Sequence, residues 1–113
     1  MSIYQKPRLI EVTVANNGTT SDVIDINDRT IAGIITPAAL TSTAITFLVS
    51  DARDGTYVAL KDSDNAAVSL TVTTSTAYGL SGVEADALSA FPFARLVCGS
   101  AEGGARTIKC VLK

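Results

Sequence analysis

Histidine and tryptophan are absent from this chain of 113 residues, and cysteine occurs only twice. Without histidine, a serine or cysteine nucleophile lacks its usual general base, and zinc lacks one of its usual ligands. The serines that stand beside glycine, Ser81 and Ser100, are therefore interpreted as loop residues. We expect no catalytic residue, no metal site and no cofactor, so that the protein is not an enzyme.

Charge is also scarce, since charged residues make up 18% of the chain and the net charge is −2. The cations are scattered and form no basic stripe of the kind that a phosphate backbone requires, so no nucleic-acid partner is expected. Hydrophobic residues account for 47% of the sequence. So little surface charge indicates that part of the surface is buried against a partner or against copies of the chain itself. An exterior of small alanine, serine and threonine residues is an equally acceptable interpretation.

Long apolar runs are missing as well, and no stretch of about 18 such residues indicates a membrane span. The first nine residues hold two cations but no apolar segment of the kind that a signal peptide contains. We therefore expect synthesis in the cytoplasm without export and no membrane partner.

Residues 1–8 are predicted to form an N-terminal arm, because they are mostly polar and contain Pro7 ahead of the first strand. The arm offers an aromatic ring and two cations, and these three residues are the candidate partner-binding residues: Tyr4, Lys6 and Arg8. It could bind a partner by strand addition or by placing Tyr4 in a pocket. The alternative is a frayed end with no role.

The two cysteines, Cys98 and Cys110, stand in alternating apolar segments. A free cysteine in such a position behaves as a small buried hydrophobe, and we expect two free thiols. A cross-strand disulfide remains the alternative.

Alternation of apolar and polar residues is what the chain has in abundance, and it is clearest over residues 45–60. Ile45, Phe47 and Val49 share one face of a predicted strand, and Val58 and Leu60 resume an apolar face after residues 51–55. Aspartate and glycine between two such runs are typical of a β-hairpin, because glycine adopts positive φ and aspartate bonds its own turn.

Similar short runs recur along the chain, and fourteen threonines suit a pleated, half-buried surface. About eight strands are predicted, with residues 78–92 forming a loop that holds at most one helical turn. The fold class is therefore all-β: a single antiparallel β-sandwich or jelly roll over residues 9–113. The expected core consists of Ile10, Val12, Val14, Ile34, Phe47, Val49, Val58, Leu60, Leu70, Val72, Leu96, Ile108 and Leu112.

Two groups of carboxylates deserve a specific interpretation. Asp51, Asp54, Asp62 and Asp64 are calcium ligand types, but they lack EF-hand spacing, so backbone capping in turns is favoured. A second group consists of Asp22, Asp25 and Asp28. These alternate with aliphatic residues in a strand-like run, which predicts a solvated sheet edge rather than converging acids.

The glycine-rich residues 99–106 are predicted to be a hairpin loop between the last two strands. They lack the Lys-Ser/Thr ending of a phosphate-binding loop, and no helix follows them.

The hairpin at residues 45–60, together with residues 93–97 and 106–112, resembles the discoidin-like (galactose-binding-domain-like) jelly rolls. The resemblance extends from residue 30 to the end of the chain and implies a jelly roll that could bind carbohydrate. The chain differs from sugar-binding members in its lack of tryptophan and its few loop aromatics.

A second resemblance involves residues 32–43, 45–60 and 93–113, which look like small proteins encoded among the virion genes of tailed phages. It implies a capsid decoration (cement) protein located in the virion, with the major capsid protein and copies of itself as partners. A homotrimer is expected from the threefold sites of icosahedral shells. A carbohydrate-binding discoidin-like module of a tail or head fibre is the alternative function.

Overall fold

Nine antiparallel strands form two sheets in the described part of the chain. The computed structural model describes residues 8–26, 29–80, 87–88 and 90–112. The strands are β1 (Arg8–Val14), β2 (Ile24–Asp25), β3 (Ile31–Ile35), β4 (Ala44–Ser50), β5 (Val58–Ala59), β6 (Ser69–Thr71), β7 (Ala77–Gly79), β8 (Phe93–Cys98) and β9 (Arg106–Leu112).

One sheet has four strands in the order β1-β9-β3-β7, and the other has the order β2-β8-β4-β5, with β6 also paired to β4. The inward-facing residues of the two sheets enclose one hydrophobic core. The predicted all-β antiparallel sandwich is therefore confirmed, and β1 and β2 are the outermost strands on one side of it.

The hairpin predicted at residues 45–60 is present. β4 pairs with β5 in a register that places Val49 opposite Val58. Its turn is closed by the Gly55 amide, which donates to the Ala52 carbonyl at 3.0 Å, while the Ser50 hydroxyl donates to that carbonyl at 2.8 Å. The predicted burial of Val58 is wrong, because this residue is 58% exposed. β5 is a two-residue edge strand, and side chains at a sheet edge have neighbours on one side only.

The core matches most of the predicted residues. Phe47 is 1% exposed at the centre of β4, where it lies opposite Leu96 of β8. Ile10 and Leu70 are only partly buried and pack against the core from its margin. Several further residues are buried that the expected core did not include: Ile24, Ile26, Ile31, Ile45, Val68, Leu80, Leu88 and Ala94.

Strand β7 was not predicted, because its three residues include a glycine and show no alternation. It pairs with β3 in a register that places Gly33 opposite Gly79. A Cβ atom at Gly33 would lie 3.0 Å from the Tyr78 carbonyl oxygen, so the two strands approach closely only because the side chain is missing. Ala87 and Leu88 are helical, and the Phe91 amide donates to the Leu88 carbonyl at 3.3 Å. Residues 81–86 and 89 of the predicted loop lie outside the described residues.

The last two strands do not form a hairpin, which corrects the prediction for residues 99–106. β8 pairs with β2 and β4, whereas β9 pairs with β1 and β3 in the other sheet. The connection therefore crosses from one sheet to the other. Equal alternation in both strands cannot distinguish a hairpin from such a crossing.

Both cysteines are buried free thiols, as predicted, with Cys98 in β8 and Cys110 in β9. They belong to different sheets, and burial raises the pKa of Cys110 to about 12. Within the described ranges, no helix has the length and apolar character needed to cross a membrane.

Candidate functional site

Of the four carboxylates considered as calcium ligands, Asp62 caps the backbone of a turn. Asp62 Oδ1 accepts hydrogen bonds from the amides of Asp64 at 2.8 Å and Ala66 at 3.0 Å. Asn65 adopts a φ of 63°, and the turn it completes is closed by a bridge between Lys61 and Ala67. This confirms the capping interpretation for Asp62. Among the residues that the structure describes, no group of three or more acidic or cysteine side chains could hold a metal ion.

Asp25 of the second acidic group lies at a sheet edge, as predicted. Asp25 is exposed on β2, the outermost strand of its sheet. Asp22 Oδ2 accepts a hydrogen bond from the Thr13 amide at 3.1 Å. This bond joins the segment before β2 to the edge of β1, which belongs to the other sheet. Asp28 lies outside the described residues.

A crevice of about 490 Å³ opens where the outermost strands β1 and β2 face each other across the side of the sandwich. We call it the edge crevice. Its apolar lining includes Ile10, Val12 and Ile26. Its charged lining includes Arg8, Arg29, Arg53, Asp22 and Asp25. The lining is therefore mixed, with charged side chains beside aliphatic residues of which Val12 and Ile26 are almost completely buried. A peptide that adds to a strand edge is held mainly by main-chain hydrogen bonds, so such a lining is compatible with an extended peptide.

The backbone of β1 borders this crevice and has a free stretch. Because the Thr13 amide bonds Asp22, it points away from β9, and successive amides of a strand alternate in direction. The amides of Leu9 and Glu11 therefore also point away from β9. No hydrogen bond from the described residues reaches either amide. β1 thus offers an unpaired edge from Arg8 to Val12, beyond the part that Asp22 caps.

Of the three predicted partner-binding residues, the structure describes Arg8, which begins β1 and lines the edge crevice. Tyr4 and Lys6 lie outside the described residues. The arm that carries them therefore enters the fold at the margin of this crevice, a relation that the sequence alone did not show.

A buried carboxylate at one end of the sandwich was missed by the sequence analysis. Glu102 is 0% exposed and lies in the connection between β8 and β9. Its Oε1 accepts hydrogen bonds from the Thr41 amide at 2.8 Å and from Arg106 Nε at 3.0 Å. Its Oε2 accepts them from the Ser42 amide at 3.0 Å and the Ser42 hydroxyl at 2.6 Å.

The backbone of Glu102 joins a third loop to this cluster. Its carbonyl accepts from the Asn17 amide at 2.8 Å, and its amide donates to the Gly18 carbonyl at 3.0 Å. Burial by itself raises the pKa of Glu102, but the bonds from Ser42, Thr41 and Arg106 outweigh this effect and lower the pKa to about 2. Every carboxylate oxygen is occupied by donors from the protein, so Glu102 holds loops together and is not available as an acid or base.

A second groove, of about 440 Å³, lies between the turn after β5 and the helical turn before β8. Phe91, whose side chain is 36% exposed, lies beside Lys61, Ser63 and Asp64 in its lining. An exposed ring next to polar side chains is an arrangement on which a sugar could stack.

The chain was compared with known proteins and structures. No protein family matches it, and no curated protein matches it. Its fold is similar to the crystal structure of SPBc2 prophage-derived protein YomS, with a TM-score of 0.54 and 14% sequence identity. The match covers 100% of both chains. At this identity the comparison shows a shared fold.

Proposed function

We propose that the protein is a non-enzymatic structural protein of a phage particle, a decoration protein that binds the major capsid protein on the outer surface of the head. The observation that carries the proposal is the likeness of the whole sandwich to a prophage-derived protein. Fold likeness at low identity does not transfer a function. The virion-like sequence patterns at residues 32–43, 45–60 and 93–113 supply the independent support.

The surface of the molecule is consistent with a role in assembly. The buried carboxylate Glu102 is saturated by protein donors, Asp62 caps a turn, and Asp22 bonds the edge of β1. The edge of β1 beside the edge crevice remains available for pairing with another chain. Open strand edges bind other chains through main-chain hydrogen bonds. We propose self-association as a homotrimer, placed on threefold sites of the shell.

The test is binding to purified heads, combined with the mass of the protein in solution. We expect a trimer by analytical ultracentrifugation and co-sedimentation with capsids that lack decoration. A strict monomer that also fails to co-sediment with capsids would refute the proposal.

The alternative is a carbohydrate-binding, discoidin-like module of a tail or head fibre. The observation in its favour is the groove beside Phe91, where an exposed ring adjoins Lys61, Ser63 and Asp64. A glycan array should then show binding at millimolar ligand that Phe91→Ala abolishes. Phe93→Ala, which alters a ring on β8 that is not in the groove lining, serves as the matched control. No binding to any glycan would remove this alternative.

A further inference from the structure

We propose that residues 1–7 of the N-terminal arm of one copy add as a strand to the free edge of β1 in the next copy, with Tyr4 seated in the edge crevice; Arg8, the last residue of the predicted arm, already belongs to β1. This inference rests on the proposed self-association and names the interface through which it occurs.

The first argument is the state of the β1 backbone. The amides of Leu9 and Glu11 point away from β9, whereas the equivalent amide of Thr13 is already bonded by Asp22 at 3.1 Å. The same edge is thus closed by the protein itself at one end and open over Arg8 to Val12. An added strand would supply the carbonyl groups that these two amides lack.

The second argument is length and position. Seven extended residues span about 23 Å, and the five-residue free edge spans about 17 Å. The arm can therefore cover the whole free edge and still bridge a gap between copies. It starts from Arg8, at the margin of the crevice.

The acceptor is a second copy because a strand cannot pair with its own continuation unless the chain reverses. The residue before proline favours extended backbone, and proline itself fixes φ near −65°. Lys6 and Pro7 therefore favour continuing the direction of β1 over a tight turn back onto it.

The third argument is chemical fit. Alternate residues of an added strand face the same way, so Ser2, Tyr4 and Lys6 share one side. With that side toward the crevice, the Tyr4 ring packs beside Ile10, a partly buried aliphatic residue of the lining. The Lys6 ammonium then faces the carboxylates at the margin, Asp22 and Asp25.

Donor and acceptor are different surfaces of the chain, so the contact is head-to-tail. Contacts of this kind close into a ring when the rotation between copies permits it. A trimer in which each copy gives one arm and receives one is therefore consistent with this interface.

The sharpest test uses proline at position 11. Because the Glu11 amide does not bond β9, Glu11→Pro removes the outward donor and leaves the β1–β9 hydrogen bonds in place. Glu11→Ala removes the side chain and keeps the amide. The Glu11 side chain also lines the crevice, so Glu11→Ala measures the contribution of the carboxylate alone. We expect Glu11→Pro to weaken assembly at least tenfold more than Glu11→Ala does, by sedimentation equilibrium.

The arm is tested separately by deleting residues 2–7 and by Tyr4→Ala, with Gln5→Ala on the opposite side of the added strand as the control. The deletion and Tyr4→Ala should weaken assembly at unchanged melting temperature, and Gln5→Ala should not. These variants alter only residues 2–7, which precede the first strand of the sandwich. They therefore test the interface even if Glu11→Pro fails to fold.

Two outcomes would overturn the interface: a deletion variant that assembles as well as the full chain, or equal effects of proline and alanine at position 11. If the full chain assembles and binds capsids regardless of the arm, only the interface is wrong. If the full chain neither assembles nor binds capsids, the proposed function is wrong as well.

Discussion

Replacing Glu102 with glutamine tests whether a buried charge holds its own loop to the loop that contains Thr41 and Ser42. The carboxylate receives hydrogen bonds from two backbone amides, one hydroxyl and one guanidinium group. Glutamine offers one acceptor oxygen and turns an NH₂ group toward donors of Thr41 or Ser42. A buried donor left without an acceptor costs about 1–3 kcal/mol, and more when a charge is lost.

The magnitude follows from the pKa of Glu102, which is lowered from an ordinary value of 4.5 to about 2. At about 1.4 kcal/mol per pH unit, this corresponds to about 3 kcal/mol of stability at pH 7. A carboxyl group whose pKa is lowered in the folded state stabilises the fold fully at pH values above its unfolded-state pKa. This stabilisation is lost as the pH falls through the folded-state pKa. About 1.4 kcal/mol of it should remain at pH 3.

The assay is urea denaturation followed by circular dichroism, since the chain contains no tryptophan for fluorescence. Glu102→Gln should lose about 3 kcal/mol at pH 7, and the difference from the unaltered protein should narrow by at least about 1.5 kcal/mol at pH 3. Glu11→Gln, at an exposed position of β1, is the control and should change stability by less than about 0.5 kcal/mol. A difference that is the same at both pH values would show that ionisation of Glu102 does not stabilise the loops.

Phe47→Ala should cost about 3–5 kcal/mol in urea denaturation through the cavity it leaves, and a loss below about 1 kcal/mol would contradict its central place in the core. Gly33→Ala should destabilise by about 1–3 kcal/mol, because its Cβ would lie 3.0 Å from the Tyr78 carbonyl oxygen. Gly79→Ala, on the paired strand, has nothing within 4 Å of its Cβ and should be neutral or slightly stabilising; equal losses at both glycines would refute the steric argument. The melting temperature should not change with dithiothreitol, since a native disulfide would contribute about 2–4 kcal/mol.

The parts of the fold that the sequence predicted are those with local signals. Period-2 alternation identified β4 and the hairpin to β5. Alternation, however, shows which face of a strand is apolar. It does not show how completely neighbouring strands bury that face. Val58 therefore was placed in the core, although β5 lies at an edge.

Features that depend on contacts distant in sequence were not predictable in this way. Glu102 stands in a glycine-rich segment, and its donors at Thr41 and Ser42 are about sixty positions earlier. Nothing in the local pattern distinguishes a saturated buried carboxylate from a solvated one. The edge crevice depends likewise on strands β1 and β2, which belong to different sheets.

The burial of both thiols also decides how the protein can be chemically labelled. The thiolate is the reactive form of cysteine, and a pKa of about 12 leaves about one Cys110 in 10⁵ ionised at pH 7. Burial raises the pKa of Cys98 too, with a bond to Ser42 acting against this and the Glu102 charge adding to it. A cysteine introduced at an exposed position would therefore react with maleimides far faster than either native thiol. A dye or cross-linker could be attached at one chosen point without first removing the native cysteines.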